Sequence, residues 1–281
     1  MPVSQSANNT SELLPISAII LTNSSDSRFL KSLQSVQFCQ QVIIGDNHSG
    51  NDWTKLAEKY HFSVEKISQP ITNFSQVRNK LSQKAEYDWV LFLDSDERLA
   101  RPQRARDKIK QAITRPGSKH TAYQFLRSDF FQGRQLRFGE AGRHRVTRLF
   151  NKHHFAYTRP VHEEVVGLAK GRRVKNLNIN IIHYAHPSLN QFIESVAAYA
   201  ELEAEHRSTS INQTVWLKFK IISQMVFFPI LKFGLNYGIN FGFLDGRAGL
   251  TYASVMSLHS LLVRVFWWEK LFSQPLAAVN N

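Results

Sequence analysis

The chain has 281 residues, 43% hydrophobic and 20% charged, enough apolar material for one large domain or a domain with an appendage. Its formal net charge of +13 calls for an anionic partner, and nucleic acid, anionic lipid and phosphorylated substrates each satisfy it at this level. The single cysteine, Cys39, excludes an internal disulfide and fits a reducing compartment, and no uninterrupted apolar run reaches the ~20 residues of a bilayer-spanning helix.

Residues 1–14 lack the basic region and apolar core of a secretory signal and read as a polar leader. Residues 16–22 (ISAIILT) are a continuous apolar run, predicted as a strand buried on both faces. A helix is predicted over 27–38, a strand over 41–45, a helix over 53–60, a strand over 62–67 and a helix over 76–85. The run WVLFL at 89–93 is a fourth buried strand. This alternation predicts an α/β fold, a mostly parallel sheet with helices on both faces.

Beyond Asp96 the pattern loosens. A helix is predicted over 105–113 and strands over 122–127 and 145–150, with a Gly- and Arg-rich loop region over 129–144. Residues 189–206 are helical by period, and 215–244 and 250–269 read as amphipathic helices around a break at 244–249 (LDGRAG). A boundary near residue 188 divides the chain into a leader (1–14), a catalytic domain (15–188) and a helical C-terminal region (189–281).

The sharpest chemical signal is Asp94-Ser95-Asp96-Glu97, directly after a buried strand, at the sheet edge where open α/β folds bind ligands. Carboxylates at i and i+2 of an extended segment leave on the same side, and a hard divalent cation relieves their repulsion. The plainer alternative is an acidic turn capping the next helix. Asp46, with Ser49 and Asp52, follows the second strand; a carboxylate there can accept from a base or ribose, and a tight turn explains the same residues. Arg78, on a predicted helix, is either solvated or turned towards phosphates. Val161-His162-Glu163-Glu164 offers a metal ligand and a general base, or an exposed polar loop. His183 and His186, three apart, would share one face of a helix, with no further ligands to suggest zinc.

These pieces, in this order, resemble glycosyltransferase family two, the inverting enzymes of the GT-A fold, and within it the bacterial subgroup similar to lipopolysaccharide-core β-glucosyltransferases. The resemblance runs over residues 16–165 and more loosely to about 270. It is carried by ISAIILTNSS, VIIGDNHSGNDWT, NFSQVRNKLSQKAEYDWVLFLDSDERL, RVTRLFNKHHFAYTRPVHEEV and NYGINFGFLDGRAGLTYA. It implies a GT-A, Rossmann-like mixed sheet flanked by helices, with a C-terminal amphipathic helical appendage. The donor implied is a nucleotide-diphosphate sugar, UDP-linked, held with Mn²⁺ or Mg²⁺, and the acceptor a glycan or glycolipid.

By the same resemblance Asp46 holds the uracil or ribose, with Thr22, Asn23 and Ser49 beside it. Asp94 and Asp96 match the DxD pair, the first at the ribose and the second at the metal. Arg78 matches a basic position near the donor, His162 contacts metal or diphosphate, and Glu163 is the base, with Glu164 and Glu97 as competitors; apart from the resemblance, Arg148 is expected to join Arg78 in offsetting the leaving group's charge. Two departures stand out: Thr22-Asn23 is followed by Ser24-Ser25 before Asp26, and the loop from Asp46 to Asp52 is one residue long of the usual pattern. Lys218, Lys220, Lys232, Arg247, Arg264 and Lys270, interleaved with aromatic residues, suggest an interfacial helix on anionic lipid, against a packed subdomain or dimer interface. The expected location is the cytoplasm, peripheral on the inner membrane. An inactive GT-A scaffold and a nucleic-acid binder are the rival readings; no nucleic-acid-binding signature accompanies the charge.

Overall fold

The computed structural model of the chain describes residues 12–69, 71–159, 163–186, 188–208 and 215–272. Strand β1 (Leu14–Thr22) is buried from Ile16 onwards. It lies between parallel β2 (Cys39–Asp46) and parallel β4 (Trp89–Asp94), and β3 (Ser63–Lys66) extends the sheet beyond β2. Helices α1 (Ser27–Ser35), α2 (Thr54–Tyr60) and α3 (Phe74–Lys84) connect these strands. Two of them start where the sequence supplies a cap: Asp26 accepts the N–H groups of Arg28 and Phe29, and Asn73 accepts that of Gln76. The displaced acidic residue after β1 is thus the N-cap of α1.

Past β4 the sheet turns mixed. Its order is β3-β2-β1-β4-β8-β6-β11-β5, with β5 (Glu97–Leu99), β6 (Thr121–Phe131), β8 (Arg145–Asn151) and β11 (Arg173–His186). β8 is antiparallel to β4 and β6, β11 is parallel to β6, and β5 is antiparallel to β11. Helix α4 (Pro102–Ile113) covers one face, where Ile16, Ala18, Ile20, Phe29, Leu91 and Ile109 pack together. The opposite face gathers Ile19, Leu21, Leu81, Phe92, Phe150 and Tyr157. Alternate β1 residues go to opposite faces, as a pleated strand requires, and both faces are dry. A separate hairpin, β9 (Phe155–Thr158) with β10 (Glu164–Gly167), packs on this second face.

The mixed α/β sheet flanked by helices is the architecture expected. Two local expectations are corrected. Residues 173–186 form a long strand, so His183 lies on β11 and not on a helix. The region 129–144 is not all loop, because β6 runs on to Phe131 and pairs there with β7 (Arg134–Gln135).

After the sheet come α5 (Leu189–Ser208), α6 (Val215–Phe233), a π-helical turn (Gly234–Ile239), a 3-10 turn (Gly242–Asp245) and α7 (Gly246–Phe272). By length and composition the segment Gly242–Phe272 is apolar enough to cross a bilayer, contrary to the run-based expectation. In the fold α7 is the inner helix of the three, lying along both α5 and α6. Val255 packs with Phe192 and Val196 of α5, while Trp267 and Leu271 pack with Leu217 and Ile221 of α6.

Candidate functional site

The carboxyl ends of β1, β2 and β4 meet at one edge: Thr22 lies opposite Asp46, and Leu21 opposite Asp94. The chain leaves β1 towards β2 on one side while β4 lies on the other, so a crevice opens at the topological switch point. Backbone bonds seal its floor, from Asn47 N to Thr22 O (2.7 Å) and from Ser95 N to Leu21 O (3.1 Å). Asp46 is buried, and both oxygens serve the loop that follows: Oδ1 accepts the Ser49 N–H (3.0 Å) and Oδ2 the Trp53 indole N–H (2.9 Å). Burial raises its carboxyl, but these bonds and Lys66 leave it below the usual carboxylate range. Thr22 is equally occupied, its hydroxyl donating to Ser24 O (2.6 Å). Asn23 is exposed, and Ser25 donates to Asn51 (3.0 Å), tying the two loops together.

At the centre stands Asp94, the last residue of β4. Arg78 Nη2 from α3 donates to Oδ1 (2.6 Å) and Arg148 Nη2 from β8 to Oδ2 (2.8 Å). Burial would raise its carboxyl; the two guanidinium groups hold it far below the ordinary value. Arg148 also reaches Glu97 Oε1 (2.6 Å), whose side chain is 0% exposed. Glu97 is therefore walled off. Arg78 reaches Glu163 Oε1 through Nε (3.3 Å) and lies over the rings of Tyr157 and Phe92. Its remaining nitrogen, Nη1, is buried without a hydrogen-bond partner among the described residues.

Asp96 belongs to the turn after β4, and a different partner serves it. His183 on β11 is registered against Glu97 on one side and Asp129 on the other. Its Nδ1 donates to Asp129 Oδ1 (2.6 Å), and Nε2 lies 3.6 Å from Asp96 Oδ2. Burial would lower the imidazole, yet Asp96 and Asp129 raise it to about 10. Arg127 pairs with Asp129 at 2.9 Å. His183 and Asp129 were absent from the sequence-derived site; the available signal was the alternation Leu177, Ile179, Ile181, which sets His183 on the same face of the strand.

Glu163 enters ahead of β10. Its hairpin is fixed to α3 by Asn79, whose amide donates to Tyr157 O (2.9 Å) and accepts the Tyr157 N–H (2.9 Å). The neighbours Arg78 and Asn79 thus divide the work, one facing the crevice and one holding the wall that carries Glu163. Glu164 points away to Arg159 (2.9 Å). His162 lies outside the described residues.

Among the described residues no three His, Cys, Asp or Glu side chains converge as a metal cage. Both Asp94 oxygens are taken by guanidinium groups, whereas the ion pair of Asp96 among the described residues is with His183 at 3.6 Å. This donor set fits a hard cation that brings most of its ligands as phosphate oxygens and water, with Asp96 as protein ligand.

No family model matches the chain. A glycosyltransferase of Rickettsia typhi, itself uncharacterised, is 24% identical over 240 residues, 82% of this chain and 80% of that protein. The lipopolysaccharide core biosynthesis glycosyltransferase LpsC of Rhizobium meliloti is 21% identical over 264 residues, 89% of this chain and 95% of its own. Among solved structures, S. aureus TarS 1–349 in complex with UDP aligns at TM-score 0.41 and 14% identity, over 93% of this chain and 92% of that one. Over most of its length the chain is similar to bacterial glycosyltransferases, a lipopolysaccharide-core enzyme among them.

Proposed function

We propose that the chain is an inverting glycosyltransferase of the cytoplasmic side of the cell envelope. It moves a sugar from a UDP-linked donor to a hydroxyl of a glycan or glycolipid, a lipopolysaccharide core or a similar envelope glycan. The observation that carries this is the convergence of Arg78, Arg148, Asp94, Asp96 and Glu163 at the switch point of the sheet.

Charge supports a metal-assisted donor. Four positive groups (Arg78, Arg148, Arg127, His183) face five carboxylates (Asp94, Glu97, Glu163, Asp96, Asp129), so a diphosphate enters a site with no surplus of positive charge. A divalent cation, Mn²⁺ or Mg²⁺, would supply that surplus and, held at Asp96, would offset charge developing on the leaving diphosphate. Asp96 is its protein ligand in this reading; the resemblance adds His162, and Asp94 instead fixes the two guanidinium groups. Arg78 and Arg148, held by Asp94, offset charge on the leaving diphosphate. Asp46, through Ser49 and Trp53, shapes the wall against the base, with Thr22 and Asn23 at its foot.

Glu163 accepts the proton of the acceptor hydroxyl as that oxygen attacks C1 from the face opposite the diphosphate. The C1–oxygen bond to the phosphate breaks as the new glycosidic bond forms, and the anomeric centre inverts. Glu97 is excluded as base by its burial, and Glu164 by its outward pairing with Arg159.

The test is Mn²⁺-dependent binding and slow hydrolysis of a panel of nucleotide sugars, wild type beside Asp96→Ala. Hydrolysis of one UDP-sugar by the wild type and at least a ~100-fold loss in the variant is the expected result. Metal-dependent turnover surviving in Asp96→Ala would overturn the assignment.

A further inference from the structure

We infer that the outer face of α6 and the turns that follow it form a docking surface for an anionic lipid bilayer. α6 is apolar on two sides. Its inner stripe, Leu217 and Ile221, packs against α7. Its outer stripe continues into the turns, and no described part of the chain covers it: Trp216, Phe219, Ile230, Ile239, Phe241 and Leu244 are each 55–70% exposed. A helix apolar all round belongs in a core or against another apolar phase. Phe241 sharpens the point. It adopts the left-handed conformation (φ 60°), a backbone cost that here presents an aromatic ring to the outside.

The charge around this face selects the phase. Residues 215–244 contain no Asp or Glu. The acidic residue that ends the run, Asp245, is turned inwards, accepting the N–H groups of Arg137 (3.0 Å) and Phe138 (2.9 Å). Lys218, Lys220, Arg134, Arg137 and Arg247 are exposed along the rim, and Arg134 lies beside Gly246 at the start of α7. Lys220 lies over the Trp216 ring and Lys218 over that of Phe272, so their stems follow apolar surface while the ammonium groups reach outwards. An apolar centre with a basic rim matches acyl chains beneath anionic headgroups. A second copy of this chain would bring like charges together. The bilayer-length helix α7 is the inner one and packs on both neighbours, so the three helices lie along the membrane instead of crossing it.

This inference rests on the proposed glycosyl transfer only for its purpose, access to a lipid-borne acceptor. The test is co-sedimentation of the full chain with vesicles of phosphatidylcholine alone and of phosphatidylcholine mixed with phosphatidylglycerol. Binding to the mixed vesicles, weakened by salt, is expected. Ile239→Ser and Leu244→Ser should each lower partitioning about tenfold, and Lys218→Gln and Lys220→Gln about fivefold each on mixed vesicles only. Unchanged nucleotide-sugar hydrolysis in the two serine variants shows that they are folded, and Asp96→Ala should bind vesicles like the wild type. Vesicle binding without donor hydrolysis by the wild type would defeat the proposed function and leave this surface standing. Equal binding to both vesicle types, or a dimer that the serine substitutions dissociate without any vesicle binding, would overturn the inference.

Discussion

Arg148 is the residue on which the local electrostatics turn, because it pairs with both Asp94 and the sealed carboxylate of Glu97. Arg148→Ala strips Glu97 of its guanidinium partner in a dry site, and urea unfolding should show a loss of about 3–5 kcal/mol. Arg148→Lys should recover little, since a single ammonium does not reproduce the guanidinium fork. Glu163→Gln keeps the shape of the wall and removes the base, so transfer should fall by about 10²–10⁴ in kcat with donor binding kept. His183 gives a pH signature. Its imidazole is raised to about 10 in the folded chain, from 6.5, by Asp96 and Asp129 against the opposing effect of burial. Folding therefore takes up a proton between those values: the contribution is complete below about 6.5 and fades as pH rises towards 10. His183→Gln should flatten that decline, read from urea midpoints across this range; an unchanged slope would show that His183 is neutral in the fold.

At the scale of elements, α3 and the β9–β10 hairpin are joined by the two-ended amide of Asn79. Asn79→Ala strands the Tyr157 backbone groups, at a cost of about 1–3 kcal/mol. It should lower kcat more than donor affinity, because Glu163 is displaced while Asp96 is not. The site was legible wherever its elements were. β1, β2 and β4 are buried on both faces and so write themselves as apolar runs; the residues at their ends, Thr22, Asp46 and Asp94, could be located from position alone. β11 was not legible. It is polar over much of its length, and its partner β6 lies some fifty residues earlier, a distance local periodicity does not span. With β11 went His183, and with His183 the separate environments of Asp94 and Asp96. The i, i+2 argument assumed extended backbone, whereas β4 ends at Asp94 and Asp96 sits in the turn. The break expected at 244–249 lies earlier, since α6 ends at Phe233 and α7 begins at Gly246, and Gly249 sits inside α7 where a Cβ would stand 2.0 Å from Gly242 O. Gly249→Ala should accordingly cost about 1–3 kcal/mol, measured by thermal melting.

Across the whole molecule, the helical region and the sheet are stitched together. Asp245 holds the backbone of Arg137 and Phe138, Asn236 accepts the Glu140 N–H (2.8 Å), and Lys232 pairs with Glu140 (2.7 Å). These contacts, with Phe131 against Phe192, predict one cooperative urea transition seen alike by tryptophan fluorescence and far-ultraviolet circular dichroism. The strand order has a consequence for how the chain is made. β5 leaves the ribosome directly after β4, but among the described residues its pairing partner in the sheet is β11, completed at His186. Until then Glu97 and Asp96 hang from an unpaired strand, and β6 shows a bare edge. The first four strands are free to assemble early from local crossovers, whereas the second half of the sheet waits for a late segment to slot between two earlier ones. Such long-range closure is slow. A chain stalled before residue 173 would therefore carry a finished crevice at the ends of β1, β2 and β4, an unfinished acidic wall and an open strand edge, which makes it a natural client for a chaperone.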